Sequence, residues 1–117
     1  MSSRYEQFDT VVVPFPFTDK AATKRRPALV LSDSPLFNAP IGHSVMAMVT
    51  TATHSDWPLD VSINDLAAAG LTAPSIVRMK LFTFDHVLIV KRIGTLSDRD
   101  AEVVRETLRQ LFKLSTL

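Results

Sequence analysis

The residues best suited to chemistry in this chain are cations and hydroxyls. Lys24-Arg25-Arg26 close a polar, small-residue stretch that runs from Thr18 to Thr23, and Pro27 with the apolar run Ala28-Leu29-Val30-Leu31 follows at once. Cations at the mouth of a buried strand stand where rigid backbone can aim them at a phosphate. An arginine offers a planar fork of donors that matches phosphate oxygens. Thr50 and Thr51 close a second apolar run, Val45-Met46-Ala47-Met48-Val49. If the two strands are neighbours, a guanidinium and a hydroxyl share one pocket, a pair that suits a phosphodiester. On RNA the substrate brings its own nucleophile, the 2′-hydroxyl. The protein then has to position it, stabilise the charge-rich transition state and manage protons. Such a reaction has no strict need of a metal. Arg26 is a poor general base, because guanidinium hardly loses its proton. His54, in the polar segment 52–56, has a side chain that titrates near neutrality and is the candidate for proton transfer.

Other residues could extend the site. Arg78 and Lys80 fall on one face of a strand, Lys91-Arg92 form a further basic pair, and Trp57, Phe15 and Phe17 could stack bases. Each has a plainer reading. A run such as 24–26 is ordinarily a solvated loop end, threonines are common strand formers, a basic strand face is ordinarily the wet side of a sheet, and aromatics pack cores. Residue type and spacing leave both readings open.

Composition narrows the choices. The chain has no cysteine, which excludes disulfides and thiolate chemistry, and only three glycines, with no glycine-rich phosphate loop. The three histidines, His43, His54 and His86, lack the spacing of a metal site, and no G-x-S-x-G elbow occurs. Thirteen Lys+Arg against twelve Asp+Glu give a net charge of +1, so only the placement of charge can speak about partners. At 117 residues and 46% apolar content, one domain spanning 1–117 with a substantial core is expected. The first residues carry no apolar signal core and no run approaches membrane-spanning length, so a soluble, cytoplasmic protein without membrane contact is expected.

The elements that must carry these residues are mostly strands. Val11-Val12-Val13 reads as a buried strand, and Pro14 and Pro16 put its far end at an edge or outside the sheet. A second strand over 28–31 lacks alternation, as expected for burial on both faces. Residues 36–42 read as a loop and 44–51 as a third strand. Trp57-Pro58 marks a turn, Leu59, Val61 and Ile63 alternate with polar residues as in a half-buried strand, and Asn64 is placed to cap a short helical turn stopped by Gly70. Residues 75–84 form a further strand, Asp85-His86 a hairpin turn, and 87–96 its return strand. Ser97 and Asp100 have capping-box spacing, and Ala101, Val104, Leu108, Leu111 and Phe112 form an apolar stripe that predicts a helix over 98–113. Strands and loops followed by one helix indicate an α+β fold: a small, strongly bent antiparallel sheet or partly open barrel with a C-terminal helix.

The segment Asp9-Thr10-Val11-Val12-Val13-Pro14-Phe15-Pro16-Phe17-Thr18-Asp19, with Lys24-Arg25-Arg26-Pro27-Ala28-Leu29-Val30-Leu31-Ser32, resembles the opening signature of the PemK/MazF family, toxins of type II toxin–antitoxin systems. The likeness continues in order through Val49-Thr50-Thr51, Trp57-Pro58, Ala69-Gly70-Leu71, Pro74–Arg78, Lys80–Thr83 and Gly94–Ser97. It covers nearly the whole chain. The resemblance implies a CcdB/PemK-like fold, an SH3-like barrel with a C-terminal helix, as a homodimer. It implies a metal-independent endoribonuclease with no cofactor that cuts single-stranded RNA at short motifs, leaving a 2′,3′-cyclic phosphate and a 5′-hydroxyl. A small antitoxin with a flexible tail would be its protein partner.

By position, Arg26 and Thr50 match the family's arginine before proline and the threonine that closes the third strand. Arg78 matches an arginine that some members use near the cleavage site. Lys24, Arg25, Thr51 and Lys80 are then expected to contact RNA, with His54 a candidate for proton transfer and 18–23 a flap over the groove. Two positions depart from the pattern. Phe8 precedes Asp9 where the family often has glycine, which puts that turn in question. Lys80 stands where some members have an acid, so a carboxylate base is not available from that position. The alternative implied by relatives of the same fold is a binding module without catalysis, acting on a protein such as a topoisomerase.

Overall fold

The computed structural model describes residues 5–15, 24–51 and 56–115. Its strands are β1 (Asp9–Phe15), β2 (Lys24–Val30), β3 (His43–Thr51), β4 (Val61–Ser62), β5 (Ser75–Asp85) and β6 (Lys91–Thr95). They form one antiparallel sheet in the order β4-β5-β3-β2-β1-β6, curled into a half-barrel. Helix α1 (Ala39–Ile41) is a single turn, and α2 (Asp98–Phe112) is the C-terminal helix. The expected fold class, a bent antiparallel sheet with a terminal helix, is the one observed.

The pleat sorts the apolar residues into two clusters. Leu29, Leu31, Ala47, Val49, Val77 and Met79 face α2, where they meet Ala101 and Val104. Val11, Val13, Ala28, Val30 and Met46 face the other way, under Tyr5, Phe15, Phe82, Phe84 and Ile89. The unbroken run 28–31 is thus buried on both faces, because neighbouring residues of a strand point to opposite sides. Truncating Leu29, which has no exposed surface, to alanine would cost about 2–5 kcal/mol.

Several local expectations are corrected. β2 begins at Lys24 rather than after Arg26, pairing Arg26 with Val13 and Lys24 with Phe15. The expected loop at 36–42 is wound into helical turns, with Asp33 accepting from the Leu36 N–H. The half-buried strand near residue 61 is only two residues long. In the turn before Gly70 the capping carboxylate belongs to Asp65, which accepts from the Ala68 N–H at 3.0 Å. The largest difference concerns β5 and β6, which do not form a hairpin. Asp85 caps a short 3-10 turn, His86–Leu88, and the chain crosses to the far edge, where β6 pairs with β1. There Gly94 passes so close to the 68–69 backbone that a Cβ would lie 2.5 Å from the Ala68 carbonyl oxygen.

Ser97 caps α2 by accepting from the Asp100 N–H. The Asp100 carboxylate, however, is spent on the N–H groups of Asn64 and Asp65, tying α2 to the turn after β4. The far end of the apolar stripe is uncovered, with Leu111 and Phe112 exposed. Phe8 accommodates the turn before Asp9 in the left-handed region, at φ 71°, which glycine adopts without steric cost. Its ring is buried and lies under the Arg105 guanidinium. No helix among the described residues is long and apolar enough to cross a membrane.

Candidate active site

Why Arg26 and Thr50 lie where they do follows from Pro27. Odd-numbered residues of β2 turn their peptide groups toward β3: the Leu31 N–H donates to the Val45 carbonyl at 2.8 Å, whereas the Val30 carbonyl accepts from Phe8 on the other side. Pro27 therefore presents to β3 a nitrogen without a hydrogen, and the ladder cannot pass through it. Pairing between β2 and β3 ends at Ala28↔Met48, while both strands run on. Continuing that register by two residues sets Arg26 against Thr50, on the face away from α2. The condition set by the sequence, that the two strands be neighbours, is met.

The same pleat divides the other basic and hydroxyl residues. Lys24 and Arg26 alternate onto the face of Thr50, and Arg25 onto the opposite face with Thr51. Met48 is in register with Arg78, so Arg78 joins the Arg26 face one strand beyond Thr50, and Lys80 follows it. The structure thus brings Lys24, Arg26, Thr50, Arg78 and Lys80 to one side of the sheet and sets Arg25 and Thr51 on the other. His54 and the 18–23 loop lie outside the described residues. Among those described, no carboxylate lies within ion-pair distance of Lys24, Arg25 or Arg26.

One participant was missed by sequence reasoning. Asp60 accepts from Arg78 at both oxygens, Nε–Oδ1 at 3.3 Å and Nη2–Oδ2 at 3.0 Å. The pairing Val61↔Val77, continued by one residue, places Asp60 directly across from Arg78. The acid beside Arg78 thus comes from the neighbouring chain segment, and both its oxygens are committed to the guanidinium. The signal lay in the alternation around Val61, which put Asp60 on the non-core face, though nothing in it named the partner. Asp60 holds the Arg78 guanidinium above its ordinary range, chiefly by hydrogen bonding, with burial opposing and the carboxylate's charge adding to it, so Arg78 stays a cation at any working pH. Trp57 packs on the same group: the Arg78 guanidinium carbon is 5.4 Å from the indole centroid and the Lys80 ammonium 5.7 Å.

At the other end of β3 and β5 lies a cavity of about 740 Å³, lined by Tyr5, Asn38, Ile41, His43, Asp85 and His86 among others. Its polar groups are turned on one another. Ser44 Oγ and His86 Nε2 share a 2.7 Å hydrogen bond, Tyr5 meets the His86 ring edge-on, and His43 lies 3.9 Å from Asp85. Burial, and then the neighbouring His43, push the His86 pKa down, with Asp85 opposing them. Among the described residues, no three histidine or carboxylate side chains converge as ligands for a metal ion.

Comparison with known proteins agrees with this fold. Residues 6–112 match the family model described as the PemK-like, MazF-like toxin of type II toxin-antitoxin systems. No curated protein matches the chain in sequence. Among solved structures, a MazE–MazF crystal structure from Deinococcus radiodurans superposes with TM-score 0.74 at 19% identity, over 97% of this chain and 100% of that one. The Mycobacterium tuberculosis toxin MazF-mt6 gives 0.71 at 20% identity, over 92% and 98%. A mycobacterial endoribonuclease in complex with its cognate antitoxin gives 0.76 at 11% identity, over 99% and 100%. At such identities the structural likeness speaks for the fold.

Proposed function

The chain belongs to the PemK-like, MazF-like toxins of type II toxin–antitoxin systems, and from that premise we propose that it is an endoribonuclease that cuts single-stranded RNA without a metal. The observation that carries the proposal is the placement of Arg26 against Thr50 where the β2–β3 ladder ends. There a phosphate can enter between two strands that no longer bond to each other. Arg26 binds the scissile phosphate through its fork of donors and stabilises the charge that builds on the non-bridging oxygens. Thr50 donates to the same phosphate or to the leaving 5′-oxygen. The 2′-hydroxyl of the RNA attacks the adjacent phosphorus, the bond to the 5′-oxygen breaks, and the products are a 2′,3′-cyclic phosphate and a 5′-hydroxyl. Lys24 contributes charge along the strand path. Arg25, Thr51 and His54 keep their proposed parts as RNA contacts and proton carrier, with Arg25 and Thr51 reaching the RNA from the opposite side of the pleat.

The MazE–MazF structure and the endoribonuclease in complex with its cognate antitoxin support a partner of the same kind for this chain. We infer a small antitoxin that covers the Arg26 face, a homodimeric toxin and a cytoplasmic site of action. The test is incubation of purified protein with a long single-stranded RNA in the presence of a chelator, followed by end analysis. Cuts at a short recurring motif, with cyclic phosphate and 5′-hydroxyl ends, are expected. Absence of cutting, or 5′-phosphate ends that need added metal, would overturn the proposal. Tight binding to a topoisomerase subunit without RNA cleavage would favour the binding-module alternative.

A further inference from the structure

We propose that Trp57 is a stacking platform for the nucleobase beside the scissile phosphate, a purine ahead of a pyrimidine, and that Asp60 and Arg78 are the positioning residues that hold it. The inference rests on the RNA reading above and assigns a subsite within it.

The ordinary use of a tryptophan is core packing, and Trp57 is not in either core cluster. The residue is 40% exposed. It is held by charge: the Arg78 and Lys80 cations lie within 6 Å of its ring, the range of cation–π attraction. A long arginine side chain alone would be a loose prop. Asp60, with its side chain 13% exposed, fixes the guanidinium in a bidentate pair and so fixes what packs on it. The turn that delivers the indole is also constrained. Pro58 follows Trp57, and Leu59 stands in the left-handed region at φ 64°, a conformation that surrounding contacts must enforce for a leucine. Asp60 comes next and meets Arg78. Four consecutive residues thus set an aromatic plane on the basic strand face.

The location fits a base beside the cleavage point. Arg78 lies two strands from Arg26 and two residues along, which strand spacing and rise convert to about 12 Å. A nucleotide bound with its phosphate at Arg26 can reach that far with a neighbouring base. Stacking on an indole tolerates every base because each has a π-face, and a purine offers the larger one. The subsite therefore gives alignment and affinity.

Trp57 is the sole tryptophan of the chain, so intrinsic fluorescence reports on the platform alone. The probes are 2′-O-methyl oligoribonucleotides, which lack the nucleophile, in purine-rich, pyrimidine-rich and singly abasic forms. Binding is followed in parallel by anisotropy of a labelled end. Saturable quenching is expected, deepest with the purine-rich probe. Trp57→Ala should weaken binding about 5- to 100-fold, with most of the loss recovered in Trp57→Phe. Asp60→Asn should reduce the quenching amplitude and raise KM for cleavage with kcat kept, which a purely structural role would not do. Saturable binding with unchanged emission, and Trp57→Ala binding as tightly as wild type, would overturn the subsite while leaving the RNA reading in place. Failure of wild type to bind any probe by anisotropy would overturn both.

Discussion

The two ends of β3 carry polar residues, and they are built in opposite ways. At one end Ser44 and Tyr5 both meet His86, and His43 lies beside Asp85, around a large cavity. At the other, Arg26 and Thr50 stand on neighbouring strands beyond the last β2–β3 pair, and among the described residues no carboxylate lies within ion-pair distance of Arg26. Cavity size would favour the first end. Chemistry favours the second, because a substrate phosphate needs donors that the fold has not already used. On the proposed reading, donors not committed to a carboxylate mark the site better than concavity does.

Arg26→Ala should break the comparison most sharply. Loss of the cation should slow RNA cleavage about 100- to 1000-fold, the usual effect of removing one transition-state donor. Thermal stability should hold, since the side chain is half-buried at a strand end. Thr50→Val should cost about 10- to 100-fold in the same single-turnover assay, the worth of a hydrogen bond to a charged group. At the other end the readout changes from rate to stability. Ser44→Ala removes the partner of the His86 ring and should destabilise the protein by about 1–3 kcal/mol in denaturant melts, with cleavage unchanged.

The smallest effect concerns pH. His86 has its pKa lowered in the folded state by burial, so as acidity rises the unfolded chain takes up the proton first. Stability is therefore full above about pH 6.5, the ordinary histidine value, and falls as pH drops from there toward the lowered folded value. Melting points between about pH 7.5 and about pH 5.5 should show this slope, and His86→Gln should reduce it.

The two ends also differ in how much of them could be read in advance. Arg26 was legible because Pro27 and the doubly buried run after it fix its surroundings, and Thr50 because it closes an apolar strand. What Pro27 does to the ladder could be seen only once the direction of the β2 peptide groups was known. The start of β2 was misplaced because a run of cations reads as solvent-facing loop, while its ladder partners Val13, Pro14 and Phe15 lie on another strand. The β5–β6 hairpin was misread for the same reason: proximity in sequence argues for pairing, and only the curl of the sheet brings β6 to β1. Asp60 could be placed on a face, but the registry with Arg78 belongs to tertiary structure. The His86 end, where Ser44 lies forty-two residues from His86 in sequence and Tyr5 further still, left no local trace.

The most direct test of which end serves the substrate is backbone amide NMR with a non-cleavable 2′-O-methyl oligoribonucleotide titrated into the protein. Shift changes concentrated at Lys24–Ala28, Met48–Thr51 and Ile76–Lys80, with Gly42, His43, His86 and Val87 unmoved, are the predicted result. Changes centred on Gly42, His43, His86 and Val87, with Arg26 and Thr50 silent, would contradict it.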